Sequence, residues 1–167
     1  DGNYRDTAIS GDFGRIFCIG YARDSDKVEI IKGEESSILK TWWQVADSAD
    51  LFIGHNIMDF DLRFIYQRSM ILGIKPTKEL NFARYQKFPI YDVLCEWVKC
   101  AYVKKGTLHE LAIAFGFPSS KTGEIEGKDV AKAFKDGKLK EICEYCERDV
   151  ELTRKIYKKM TFDNPPS

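Results

Sequence analysis

The segment Lys138–Met160 has the periodicity of a long helix and carries a charge on its apolar side. Ile142, Tyr145, Asp149, Leu152 and Ile156 recur at three- and four-residue steps, the stripe that a helix turns towards a core. Tyr145 and Asp149, inside Ile-Cys-Glu-Tyr-Cys-Glu-Arg-Asp-Val (142–150), therefore emerge from one face, a turn apart. A carboxylate on such a stripe is costly unless something pairs with it, and a metal ion is the partner that best justifies the cost. The neighbouring tyrosine supplies a hydroxyl that could orient a water beside that metal. A partly exposed Asp at the stripe's edge is the bland alternative. A second carboxylate motif upstream outweighs it.

The rest of the chain reads as an α/β domain, with strands early and helices late. Arg15–Ala22 is predicted as a buried strand, paired with Lys27–Ile31 through the turn Asp24-Ser25-Asp26. Glu34–Ala49 has Ile38, Leu39, Trp42, Trp43 and Val45 at helical spacing, with one tryptophan packed and its neighbour at least partly exposed. Leu51–Gly54 and Pro89–Val93 are short apolar runs, hence buried strands. Helices are expected over 59–72, with Phe60, Phe64, Ile65 and Ile71 inward, and over 94–102. Thr107 and Glu110 form a T-x-x-E capping box that opens a helix over 108–115. Lys128–Lys135 and Lys138–Met160 are the last helices. One domain over 1–162 is expected, with 163–167 as a flexible tail.

Charge narrows the function classes. The 26 basic residues balance 26 acidic ones, whereas a tight, non-enzymatic duplex binder would show an excess of Lys and Arg. An enzyme holding only a strand end stays open. No run of eighteen apolar residues occurs, so no membrane span is predicted, and without a signal-peptide pattern the cytoplasm is the expected compartment. Five cysteines, an odd number, argue for reduced thiols. Cys143 and Cys146 form a C-x-x-C pair in mid-helix with no second pair, and His55 and His109 lack ligand spacing to it. Packing cysteines are the better reading.

Gly-His-Asn-Ile-Met-Asp-Phe-Asp (54–61) joins a strand end to a helix start, where ligands gather in open α/β sheets. Asp61 sits just inside the helix, at the positive end of its dipole, with Asp59 as the expected N-cap. Alone, both aspartates read as cap and first-turn residues. Asn56-x-x-x-Phe60-Asp61 followed by Tyr145-x-x-x-Asp149, however, resembles the second and third motifs of the DEDD exonucleases in their tyrosine subclass. Ser120-Lys121, Ile125-Glu126-Gly127, Val130, the run 134–139 and the segment 142–150 resemble one family more closely. It comprises predicted 3′–5′ exonucleases related to the proofreading domain of family B DNA polymerases, and the resemblance runs from about Arg15 to Met160.

That resemblance implies an RNase H-like mixed sheet flanked by helices and a metal-dependent 3′–5′ exonuclease. Its substrate would be single-stranded or frayed DNA, or RNA, with a polymerase or repair assembly as a partner. Asp149 would be a direct metal ligand, Asp61 would act on a second ion through bound water, and Tyr145 would orient the attacking water. Asn56 would lie near the strand or brace the loop that aims Asp61. Two divalent ions about 3.5–4 Å apart suit in-line displacement, and oxygen-only ligation suits Mg²⁺ or Mn²⁺. His55 and Lys121 are weaker candidates for strand contact, with a loop hydrogen bond competing at His55. Asp92 is read as either a support for the site or a helix cap. Lys99, Lys104 and Lys105 are read as phosphate contacts or solvated surface.

One motif is missing from the pattern. The family's first strand ends in Asp-x-Glu, whereas this sequence opens Asp1-Gly2-Asn3, where residues following that motif are expected. A first, central strand preceding Asp1 is the favoured expectation, because its loss would be severely destabilising. Alternatively Asp1-x-Asn3 is a degraded form, or Asp6 or Asp12 substitutes. The third reading is a catalytically inactive nucleic-acid-binding or partner-binding module of the same fold.

Overall fold

A computed structural model describes residues 14–102, 106–118 and 127–163. The fold is α/β. Strand β1 (Cys18–Tyr21) pairs antiparallel with β2 (Glu29–Lys32), Ile19 lying opposite Ile31. Helix α1 (Glu35–Asp47) follows, capped by the Glu34 side chain, which accepts from the Ser37 N–H. Next come β3 (Phe52–Gly54), α2 (Asp61–Ile71) and β4 (Ile90–Asp92). β4 runs parallel to β3, with Gly54 opposite Asp92. Helices α3 (Val93–Trp97), α4 (Leu108–Ala114), α5 (Val130–Lys135) and α6 (Leu139–Met160) complete the described chain, a short 3₁₀ turn preceding α5.

Among the described residues the strands form two pairs, one antiparallel and one parallel. α6 joins them by packing on β1, β2 and β3 as well as on α3, α4 and α5. It does so through the predicted stripe: Ile142, Leu152 and Ile156 are buried, each contributing roughly 1.5–3 kcal/mol of transfer free energy. α1 closes the other side, against β1, β2 and α2. The Thr107–Glu110 capping box forms as read, with both reciprocal hydrogen bonds. No described helix is long and apolar enough to cross a membrane.

Several expectations are corrected. Trp42 and Trp43 are both buried, at 8% and 1% exposure. Trp42 meets Tyr21 and Phe52 edge-on, while Trp43 donates its indole N–H to the Ser69 hydroxyl at 2.9 Å. A helix sandwiched between a strand pair and another helix buries a face wide enough for adjacent residues. Phe60 and Ile71 are exposed rather than inward, leaving Phe64 and Ile65 to bury that side of α2. Asp59 is not the N-cap. Helix α2 starts at Asp61, Phe60 holds the cap position without a side-chain bond, and Asp59 faces Arg63 one turn on, at 3.7 Å. β1 is shorter than predicted and only half-buried. α3 stops at Trp97 instead of reaching residue 102, because Lys99 and Cys100 take left-handed φ of 51° and 56°.

Asp1, Asn3, Asp6 and Asp12, weighed as a first carboxylate motif, lie outside the described residues. So do Lys104, Lys105, Ser120, Lys121, Ile125, Glu126 and the tail from residue 164.

Candidate active site

Gly54 ends β3 where no side chain fits: a Cβ there would lie 2.5 Å from the Ile57 Cβ. The chain then turns sharply. Asn56 adopts a φ of 56°, a left-handed conformation that Asn tolerates better than most residues. The turn is pinned from outside by Asp92, the last residue of β4, which is 4% exposed. Its Oδ1 accepts from the Asn56 N–H at 3.1 Å and its Oδ2 from the Met58 N–H at 3.2 Å. The same Oδ1 caps α3, accepting from Leu94 N–H at 3.0 Å and Cys95 N–H at 3.1 Å. Asp92 therefore caps α3 and also holds the turn that leads into α2. The turn closes with Phe60 N–H to Asn56 O at 3.0 Å and Leu62 N–H to Ile57 O at 3.0 Å, delivering Asp61 as the first residue of α2.

The second carboxylate comes from α6. Tyr145 and Asp149 are half-buried on the stripe, and Asp149 Oδ1 is shut off from water. Between them Cys146 packs against β1. There a Cβ on Gly20 would lie 2.7 Å from the Cys146 Sγ and 3.2 Å from Val150 Cγ2, so the missing side chain leaves room for this close approach. Cys18 shares thiol hydrogen bonds with Cys146 and, more weakly, Cys143, and the Cys146 bond together with burial raises the Cys18 thiol well above its usual range. The hydrogen bond with Cys18 lowers Cys146, while desolvation and the charges of Asp149 and Asp61 push it back up. The C-x-x-C cysteines thus pack, with a third thiol from β1 that nothing in the sequence associates with them.

Electrostatics bring the two motifs together. The Asp61 carboxyl is pushed up to about 7, chiefly by desolvation; a backbone hydrogen bond partly offsets this, and the charges of Asp92 and Asp149 raise it further. Asp61 is nevertheless an exposed residue. Water reaches the side chain from one direction while protein crowds it from others. Solvent on that side screens the interaction, so it carries little weight in stability. Both charged neighbours shifting Asp61 are negative.

Asp61, Asp92 and Asp149 therefore share one neighbourhood, at the carboxyl ends of the parallel strands. The Tyr145 hydroxyl lies 3.5 Å from where a Cβ on Gly127 would be, so the start of the 3₁₀ turn passes over it. Asn56 enters through its backbone. The His55 Nε2 lies 3.2 Å from the Gly106 carbonyl, a hydrogen bond between loops. Lys121 lies outside the described residues. Among the described residues no group of three His, Cys, Asp or Glu side chains is arranged to hold a metal. Asp92 has both oxygens committed to backbone donors, which leaves Asp61 and Asp149 as the oxygen ligands the described residues offer. An exposed carboxylate beside like charges is the donor chemistry that a hard divalent cation neutralises, so this pair fits such an ion.

No curated protein matches this chain significantly. A family model described as a predicted 3′–5′ exonuclease related to the exonuclease domain of PolB matches residues 12–164. That span takes in the Asn56–Asp61 turn, Asp92 and the Tyr145–Asp149 face. The chain belongs to this family of predicted 3′–5′ exonucleases.

Proposed function

We propose that the protein is a divalent-metal-dependent 3′–5′ exonuclease acting on single-stranded or frayed DNA ends. The observation that carries this reading is the electrostatic coupling of Asp61 to Asp149, two carboxylates far apart in sequence whose charges lie close enough to interact. Asp149 and Asp61 would hold Mg²⁺ or Mn²⁺ through oxygen. A bound ion of this kind supplies Lewis acidity, activating a water and stabilising the departing 3′-oxygen. Tyr145 positions the attacking water through its hydroxyl, and Asp92 holds Asp61 in register by fixing the turn before it. The turn's exposed Phe60 and the Asn56 backbone border the same place. RNA is the competing substrate.

The test uses the full-length protein and a 5′-labelled single-stranded oligonucleotide. Cleavage should shorten the strand from its 3′ end, require Mg²⁺ or Mn²⁺ and stop on chelation. Asp149→Asn should lower turnover by at least about 10²-fold, the scale for losing one transition-state electrostatic contact. It should also abolish Mn²⁺ binding by calorimetry while metal-free stability holds or rises. Tyr145→Phe should slow single-turnover cleavage with strand affinity unchanged, since a positioned water matters mainly in the transition state. Strand binding without cleavage would reassign the protein as a nucleic-acid-binding module. Neither Mn²⁺ binding nor cleavage would end the nuclease reading.

A further inference from the structure

Away from the carboxylates, the end of α3 is built in an unusual way. After Trp97 the helix is capped by Val98, and the next two residues, Lys99 and Cys100, both take left-handed backbone angles. Neither is glycine, and this conformation is disfavoured for any residue carrying a Cβ. The turn folds Cys100 back onto the helix, its N–H donating to the Cys95 carbonyl at 2.7 Å and that of Lys99 to the Glu96 carbonyl at 3.2 Å. The Lys99 ammonium meets the Glu96 carboxylate, fastening the turn from its outer side.

This reversal sets the Cys100 Sγ 2.8 Å from the Cys95 Sγ. Both thiols point at the Arg84 carbonyl, at 3.1 and 3.6 Å respectively. The Arg84 guanidinium reaches the Ala101 carbonyl at 2.9 Å, tying the preceding loop to the same turn. Cys95 is buried and Cys100 half-buried, so one sulfur is within reach of a small oxidant and the other waits behind it. A bonded pair would sit about 2.05 Å apart, so little further approach is required.

We propose that Cys95 and Cys100 are a reversible thiol–disulfide site. With a peroxide as oxidant, the Cys100 thiolate attacks one peroxide oxygen and becomes a sulfenic acid, releasing hydroxide. Cys95 sulfur then attacks the Cys100 sulfur, its proton leaving with the displaced hydroxide as water. Overall two thiols and one hydrogen peroxide give one disulfide and two waters. A dithiol reductant returns both thiols. The remaining cysteines form their own cluster on β1 and α6, which makes the pairing selective. This site stands independently of the nuclease reading.

The experiment treats the intact folded protein with one equivalent of hydrogen peroxide, quenches it, alkylates under denaturing conditions and maps the peptides. The expected product has lost two hydrogens, carries a Cys95–Cys100 cross-link and regains both alkylation sites after dithiothreitol. Cys100→Ser should abolish that cross-link, and a Cys143→Ser, Cys146→Ser double variant should retain it. The proposal is overturned if Cys95 and Cys100 remain fully alkylated after oxidation. It is equally overturned if the only cross-link maps to Cys18, Cys143 or Cys146.

Discussion

Two acidic regions of this molecule handle negative charge in opposite ways. Glu35, in the first turn of α1, is 4% exposed. Its carboxylate accepts from Arg68 Nε and Nη2, both at 2.9 Å, and from the Ile16 N–H at 2.9 Å. Arg15 stands 4.0 Å away. Asp61, in the first turn of α2, has Asp92 and Asp149 as the charges that shift it. Asp92, buried as deeply as Glu35, is satisfied by four backbone N–H groups. Position at a helix start does not separate the two; the sign of the neighbours does. A carboxylate surrounded by donors is held in place as an anion, whereas one that is desolvated beside other carboxylates is pushed towards its protonated form.

The largest effect is expected at Arg68. Arg68→Met keeps volume and strands the Glu35 charge, which should destabilise by about 3–5 kcal/mol in urea denaturation. Adding Glu35→Gln, which keeps an acceptor for Ile16, should recover much of that loss. No recovery would mean that packing rather than charge holds α1 to α2.

Asp92→Asn sharpens the contrast next. An amide can keep the Oδ1 bonds to Asn56, Leu94 and Cys95, but it opposes its NH₂ to the Met58 N–H. A cost of roughly 1–3 kcal/mol is expected for that unsatisfied pair, with a loss of Mn²⁺ affinity as the turn slackens. Destabilisation with unchanged Mn²⁺ affinity would confine Asp92 to capping α3.

The smallest effect concerns pH. Asp61 has a folded value near 7 against 3.8 for an ordinary Asp, so between those values the folded protein binds more protons than the unfolded chain. Metal-free stability should therefore fall as pH rises through that window, and the fall should be small because solvent reaches the group. Asp61→Asn should flatten this part of a melting-temperature profile.

How much of this was legible depended on the range of the interactions. The α6 stripe and the Thr107–Glu110 box are set by residues within one or two turns, and both form as read. The end of α3 carried no warning, since Lys99 and Cys100 are not turn residues by composition; hydrogen bonds to Cys95 and Glu96 impose their conformation. Trp42 and Trp43 misled because helical spacing says which way a side chain points but not how many elements cover the helix. At the candidate site, residue types and motif spacing pointed to Asp61 and Asp149, and the fold brings them into one field. The four-point brace by Asp92 could not be read, because its partners are backbone groups. Gly20 did leave a signal, a glycine inside a strand, whose reason became clear only with Cys146 against it.

That glycine sets a tolerance for the whole centre. With no side chain at position 20, α6 settles onto β1 to the depth at which Cys146 touches the strand backbone. Asp149, three residues further along, is carried at the height this contact dictates. Gly20 acts as a shim of zero thickness: one added methyl group would have to be accommodated by the Cys146 thiol, on the helix that carries Asp149. The seat of the helix is thus partly a machining specification, written on a strand that carries neither Asp61 nor Asp149.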